Sequence, residues 1–333
     1  MKAVQVVLCT SIISAVLGGC SDGNTPANVE GVKLSAQNTA QPQTNTIHIA
    51  SSSIESIPMA EWEVPNRPVD RPLPPRIRIA EGEEAVALAP ANATRYDAKE
   101  YIFPMGSLRV LTFKRDAGPV IHQITFETEL FMLQGSASVG VLGEQVLINA
   151  GDAVFLPSGV LRNDNPIKDT VVALFTVSNS ADNPKSMVIR GNELQEMTIA
   201  QYVRDGEPVT AVRPEDLETA PEDAGVFDVK RYTFDGNSIR LAKLYKGGST
   251  TPATNSRTDI LIYISKGRMR RTEDGKVYEV VAGDAIREEF GKTGYWELLE
   301  ESEFLATNMP FNPAKPRANP IRTPLSTVGT GYE

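Results

Sequence analysis

The stretch "AGDAVFLPSGVLRNDNP" covers residues 150–166, and "AGDAIREEFGKTGYWEL" covers 282–298. The same four letters open both, 132 positions apart. That offset also sets Lys114 on Lys246 and Gly135 on Gly267. Self-similarity at a domain-sized period marks duplication of a whole unit, because solenoid repeats run only about 20–50 residues. Two similar domains are therefore expected, and the places where the copies differ carry the functional question. Arg162 follows the Gly-Asp turn in the first copy, whereas Gly294, Tyr295 and Trp296 follow it in the second.

Around each turn lie short β-branched and aromatic runs. They are "SLRVLTFKR", "VIHQITFETELFML", "SASVGVLGEQVLI" and "AVFLPSG" in the first copy, and "SIRLAKLYK", "DILIYISKG", "RMRRTEDGKVYEVV" and "YWELLEESEFLATN" in the second. Gly, Asp-Gly or Gly-Asp separates these runs, which is the pattern of a sandwich or barrel. Asp274-Gly275 predicts a tight hairpin, since both residues tolerate positive φ. Helical pattern is sparse. The best candidate is "NELQEMTIAQYVRDG" at 192–206, with Asn192 as N-cap and Gly206 as stop.

The ends of the chain read differently. Lys2, an apolar stretch at 3–17 and "LGGC" before Cys20 resemble a bacterial lipoprotein signal. The resemblance implies lipidation of Cys20, a membrane partner through that lipid and a place on the periplasmic side of the envelope. Ser21 after the cysteine favours the outer membrane. An ordinary cleaved secretory signal and an apolar N-terminal helix are the alternatives. The only other cysteine, Cys9, leaves with the signal, so no thiol remains for a disulfide, thiolate catalysis or a zinc cluster. Residues rich in Asn, Thr, Gln, Ser and Pro follow, too polar to offset their ordering entropy, and "WEVPNRPVDRPLPPRIRIA" is expected to lie extended with Trp62 as an anchor. The expected division is a signal at 1–19, a disordered tether at 20–75 and a first barrel at 76–185. An inter-domain segment with a short helix occupies 186–225, a second barrel 226–311 and a proline-rich tail 312–333.

With 333 residues the chain has room for two domains, and its net charge of −9 and pI near 5.0 oppose general affinity for nucleic acid. The strand with His122, the apolar run ending in "MLQG", a hairpin and then "GDAVFLPSG" resemble the cupin pattern over roughly 107–166. The match over 238–308 is looser, and "GYWELLEESEFLATN" there is similar to the ureidoglycine aminohydrolase-like and ethanolamine-utilisation-like cupins. The resemblance implies an all-β bicupin, two tandem jelly-roll barrels with few short helices, either monomeric or a homodimer.

Metal-binding cupins hold a divalent ion with three histidines and a glutamate. Carried over residue by residue, the resemblance places these ligands in the first copy on His122, Ile124, Thr128 or Glu129, with Glu127 nearby, and Arg162. In the second copy they fall on Thr254, Ser256, Ile260 or Leu261, and Gly294. The whole chain has two histidines, His48 and His122, so a three-histidine site is impossible. No metal and no cofactor are expected, and metal-dependent dioxygenase or hydrolase chemistry is disfavoured.

Two readings of the first copy stand open. In one, Arg162 projects toward Glu129 or Glu127 and a salt bridge or bound anion replaces the ion. In the other, Arg162 and the glutamates are rim residues and His122 is a hydrogen-bonded interior residue. In the second copy Tyr295, Trp296, Thr254 and Ser256 line a small-molecule pocket, or Trp296 belongs to the core or to a dimer contact. The basic hairpin "KGRMRRTEDGK" reads as a solvated turn or a lure for an anionic partner. Three functions compete: binding of a small anionic or phenolic molecule, metal-independent isomerase or epimerase chemistry with His122 as base and Arg162 steadying an oxyanion, and a structural role in the envelope.

Overall fold

A computed structural model describes residues 48–64, 76–103, 106–115, 117–123, 126–141, 144–158, 161–177, 185–245, 248–254 and 258–309. The first unit contains β1 (His48–Ile49), β2 (Ile57–Val64), β3 (Arg76–Glu81), β4 (Thr94–Phe103), β5 (Gly106–Phe113), β6 (Val120–Gln123), β7 (Thr128–Gln134), β8 (Ser136–Val141), β9 (Glu144–Asn149), β10 (Ala153–Leu156), β11 (Leu161–Pro166) and β12 (Thr170–Thr176). The second contains β13 (Met187–Ile189), β14 (Met197–Arg204), β15 (Glu207–Ala211), β16 (Gly225–Phe234), β17 (Asn237–Leu244), β18 (Ala253–Thr254), β19 (Asp259–Lys266), β20 (Arg268–Glu273), β21 (Lys276–Val281), β22 (Ala285–Glu288), β23 (Thr293–Leu298) and β24 (Ser302–Met309). Two single-turn helices, α1 (Glu83–Ala87) and α2 (Pro214–Leu217), complete it.

The fold is all-β. Each unit forms a double-sheet, jelly-roll barrel: an eight-stranded sheet, β13-β10-β7-β12-β5-β4-β2-β3, faces β6-β11-β8-β9, while β1-β22-β19-β24-β17-β16-β14-β15 faces β18-β23-β20-β21. Adding twelve to a strand number converts one barrel into the other, except that β1 and β13 trade places. The strand that opens each unit therefore edges the other unit's barrel, Ile49 opposite Ala285 and Ile189 opposite Ala153. Reciprocal exchange of edge strands covers backbone groups that would otherwise offer themselves to another chain.

The strand order corrects two expectations. Residues 57–64 fall within the expected tether, yet β2 is an integral strand paired with both β3 and β4. Trp62 anchors there, against a small cluster of Ala60, Ala80, Ala89 and Ala93. The helix expected at 192–206 is instead strand β14, which turns through Asp205 (φ 55°) and Gly206 (φ 83°) into β15. Two successive positive φ angles make a hairpin turn, so Gly206 reverses a strand where it was read as a helix stop. The central residues Ile199 to Tyr202 are buried on both sides of the sheet, which removes the alternation that would have announced a strand. The hairpin expected at Asp274-Gly275 is present, with φ 47° and 76°.

Three large clusters fill the two barrels and the space between them. Leu111, Phe113, Leu130, Met132, Val139 and Val154 fill barrel 1, and Phe227, Val229, Ile260, Ile262, Trp296 and Phe304 fill barrel 2. The largest cluster lies between the barrels, where Tyr101, Phe131, Phe155 and Phe175 meet Tyr232, Phe234, Leu261 and Leu305. Both large sheets are thus buried on two faces, one against their own barrel and one against the other.

Gly135 and Gly267, aligned by the duplication, have φ of 82° and 83°, and a Cβ on either would lie 2.2 Å from a backbone carbonyl, that of Asp169 or of Glu301. Only glycine fits there. The signal at 1–19, Cys20 and the tail at 312–333 lie outside the described residues.

Candidate functional site

The repeated Gly-Asp is a turn held by its own side chain. Asp152 accepts the backbone N–H of Asn149 at 3.0 Å, and Asp284 accepts that of Val281 at 3.1 Å. The other contacts of each carboxylate come from the exchanged segment. Arg190 Nη1 (2.8 Å) and the Gly191 N–H (3.0 Å) bind Asp152, whereas His48 Nε2 (3.0 Å) and the Ser51 N–H (2.8 Å) meet Asp284. Burial alone would raise the Asp284 carboxyl, but the bonds from His48, Ser51 and Val281 outweigh it and leave it below its ordinary value. His48 is thus spent on an inter-unit clasp at the edge of barrel 2.

In barrel 1 the backbone register sets His122 of β6 directly opposite Arg162 of β11. The two residues are cross-strand neighbours in the backbone register. Glu129 does not join them. Leu130 and Met132 point into barrel 1, so Glu129 and Phe131, of opposite parity on β7, point at barrel 2. Glu129 is fully buried, and its Oε2 accepts a 2.6 Å bond from the Thr307 hydroxyl. Burial pushes its carboxyl up to about 8, a rise that Thr307 and the more distant Arg240 only partly offset. Thr128 occupies the inward position and donates to the Phe126 carbonyl at 2.9 Å. Glu127 is half-buried just ahead of β7, and its carbonyl accepts the Val177 N–H.

In barrel 2 the expected pocket divides. Tyr295 and Trp296 are consecutive on β23 and lie on opposite faces; Trp296 is fully buried and Tyr295 is partly exposed. Thr254 is exposed and bonds Thr293 Oγ1 at 2.6 Å, on the outer face with Tyr295. Ser256 lies outside the described residues. The reading of Trp296 as core is the one the structure bears out.

What surrounds Trp296 was missed. Arg271, at 3% exposure, reaches Glu273 at 3.0 Å and Glu288 at 3.3 Å, and its guanidinium sits 5.3 Å from the centre of the Trp296 ring. Trp296 Nε1 donates to Glu288 Oε1 at 3.1 Å. Burial raises the Glu273 carboxyl despite Arg271 beside it. The signal was present in "RMRRTE", where Met269, Arg271 and Glu273 share one parity and turn inward. Arg268 and Arg270 turn outward to Glu279 and Glu297.

These residues do not fit the metal that the cupin resemblance implies. Gly294 stands where the last histidine would, and a Cβ there would lie 2.5 Å from both Arg271 Nη2 and the Thr272 carbonyl. A guanidinium takes that space in barrel 2. In barrel 1 the corresponding positions hold isoleucine, threonine and arginine, none a useful ligand beside one imidazole. Among the described residues no group of three or more His, Cys, Asp or Glu is placed to hold an ion.

Architecture and site together define a duplicated jelly-roll protein with exchanged edge strands. No known family profile matches the chain, and neither does any curated protein. Among solved structures it is similar to AerE from Microcystis aeruginosa, with a TM-score of 0.48 and 9% identity over 65% of this chain and 93% of that one. Oxalate decarboxylase OxdC of Bacillus subtilis gives 0.49 and 14% identity over 84% and 80%.

Proposed function

We propose that the chain is a lipid-anchored bicupin on the periplasmic side of the envelope, whose first barrel binds a small anionic or phenolic molecule without a metal ion. The observation that carries this reading is the register of His122 against Arg162. It sets a histidine opposite an arginine, a residue type suited to carboxylates, at the two positions where the resemblance calls for histidine ligands. The lipid anchor rests on the "LGGC" sequence at Cys20, and on the polar stretch after it, long enough to hold the barrels off a membrane.

Calorimetric screening of small carboxylates and phenols against the full chain tests it. Arg162→Met should weaken the best ligand tenfold or more; unchanged affinity would place the ligand elsewhere. Elemental mass spectrometry of protein purified without chelator or histidine tag should find no stoichiometric manganese, iron, nickel or zinc. Cys20→Ala should release the protein from membranes.

The same register also suits metal-free proton transfer, His122 acting as base beside a cation that steadies an enolate oxygen. His122→Gln separates the readings. Binding should survive it under the first and turnover should vanish under the second.

A further inference from the structure

The two barrels differ by a charge reversal on a cross-strand pair. In barrel 1, Glu100 of β4 lies opposite Arg109 of β5, and Glu100 Oε1 accepts from Arg109 Nε and Nη2 at 2.9 Å each. The equivalent pair in barrel 2 is Arg231 of β16 opposite Arg240 of β17. A carboxylate has been replaced by a second guanidinium. The pair faces the barrel lumen, because the neighbouring pairs of the same parity, Val229 with Ala242 and Phe227 with Leu244, form the barrel-2 core.

Arg240 is 2% exposed. Its Nε and Nη1 have no hydrogen-bond partner, nor does Arg231 Nε, and neither guanidinium forms an ion pair among the described residues. Among the described residues the side-chain bond of Arg240 is a long one, 3.4 Å, to Ser238 Oγ. Arg231 is the charge Arg240 feels most, and Glu129, whose charge favours the cation, is on the opposite face of the sheet, bound to Thr307. Like charges directly opposite on a sheet repel, and a buried cation without a partner is strongly destabilising. A buried polar group without a protein partner calls for a physical account, and a bound ion is one that satisfies it.

We infer that Arg231 and Arg240 form a carboxylate-binding site in the lumen of barrel 2, where an external carboxylate takes the place that the Glu100 side chain fills in barrel 1. Arg240 supplies the buried half of the clamp. Arg231, partly exposed, gives the ligand its way in. The planar forks of two arginines accept both oxygens of one carboxylate. This site is separate from the His122 and Arg162 site and does not depend on it.

Succinate is the probe, titrated into the full chain at constant ionic strength against chloride, with melting temperature and calorimetry as readouts. Succinate should raise the melting temperature by about 3 °C or more beyond matched chloride. Arg231→Glu, which copies barrel 1, should melt higher than wild type without ligand and bind succinate at least tenfold more weakly. Arg240→Met should also lose the response, and Arg162→Met should keep it. The proposal falls if wild type shows no succinate-specific rise, if Arg231→Glu binds as wild type does, or if Arg162→Met abolishes the response and so moves the ligand to barrel 1. A rise with inorganic phosphate and none with succinate would overturn the carboxylate assignment.

Discussion

The phenol of Tyr232, in barrel 2, donates a 2.7 Å hydrogen bond to the carbonyl of Gly151, in barrel 1, and Tyr101 returns the bond to Gly283 at 2.6 Å. Each barrel thus clamps the Gly-Asp turn of the other. Burial, first of all, raises both phenols above their ordinary range, which favours the protonated, donating form of each.

Tyr232→Phe and Tyr101→Phe should each lower stability by about 1–2 kcal/mol, because a buried carbonyl loses its donor while the ring packing stays. Chemical denaturation of the single and double variants checks this. The bonds lie at separate turns, so the two losses should add. No loss in either variant would show that the clamps contribute nothing.

The Glu129 carboxyl, raised by burial to about 8 from an ordinary 4.5, makes stability depend on pH. The folded state holds this proton longer than the unfolded chain does. Its contribution is therefore full below about pH 4.5 and is lost as pH rises toward 8. Melting temperature should fall across that window, and Glu129→Gln, which keeps the Thr307 bond without the ionisation, should flatten part of the fall. Glu273, raised in the same direction, accounts for a residual slope. Identical pH profiles for wild type and variant would refute the assignment.

Gly294→Ala should cost about 1–3 kcal/mol, since its Cβ meets a backbone carbonyl as well as Arg271. Removing the guanidinium with Arg271→Ala should rescue it only in part, because the Thr272 carbonyl does not move away. Gly294→His, which restores the cupin ligand type, should destabilise further and recruit no zinc by elemental analysis.

Deleting the chain through Ser53 removes β1 and the His48 and Ser51 bonds to Asp284. Amide exchange should speed up at β22 while β10, edged by β13, stays protected. Asp284 is lowered in the fold, so its clasp contributes above its ordinary value near 3.8 and is lost as pH falls below it. Equal protection at β22 with and without the segment would remove the clasp from the account.

Duplication, an all-β architecture, the Asp-Gly hairpin and the exclusion of a three-histidine site were legible in the sequence. Each follows from local chemistry: positive φ at glycine, alternation along strands, and a count of ligating side chains. The chain also named His122 and Arg162 as positions of interest. Glu129 was misplaced because both alternations of "ITFETELFML" contain large apolar residues, and they do so because the sheet is buried on two faces. Parity cannot be read where neither face meets water. The helix expected at 192–206 failed for the same reason.

Other features exist only between distant parts of the chain. No local pattern could show that β1 edges barrel 2, that Arg271 fills the space at Gly294, or that Arg240 lies opposite Arg231 where Arg109 has Glu100. The sequence by itself determined which residues turn, which alternate and which ligands are missing, since those depend on neighbours along the chain. The tertiary structure decided which face each strand buries and which charges go unpaired, because those depend on the second barrel packing against the first.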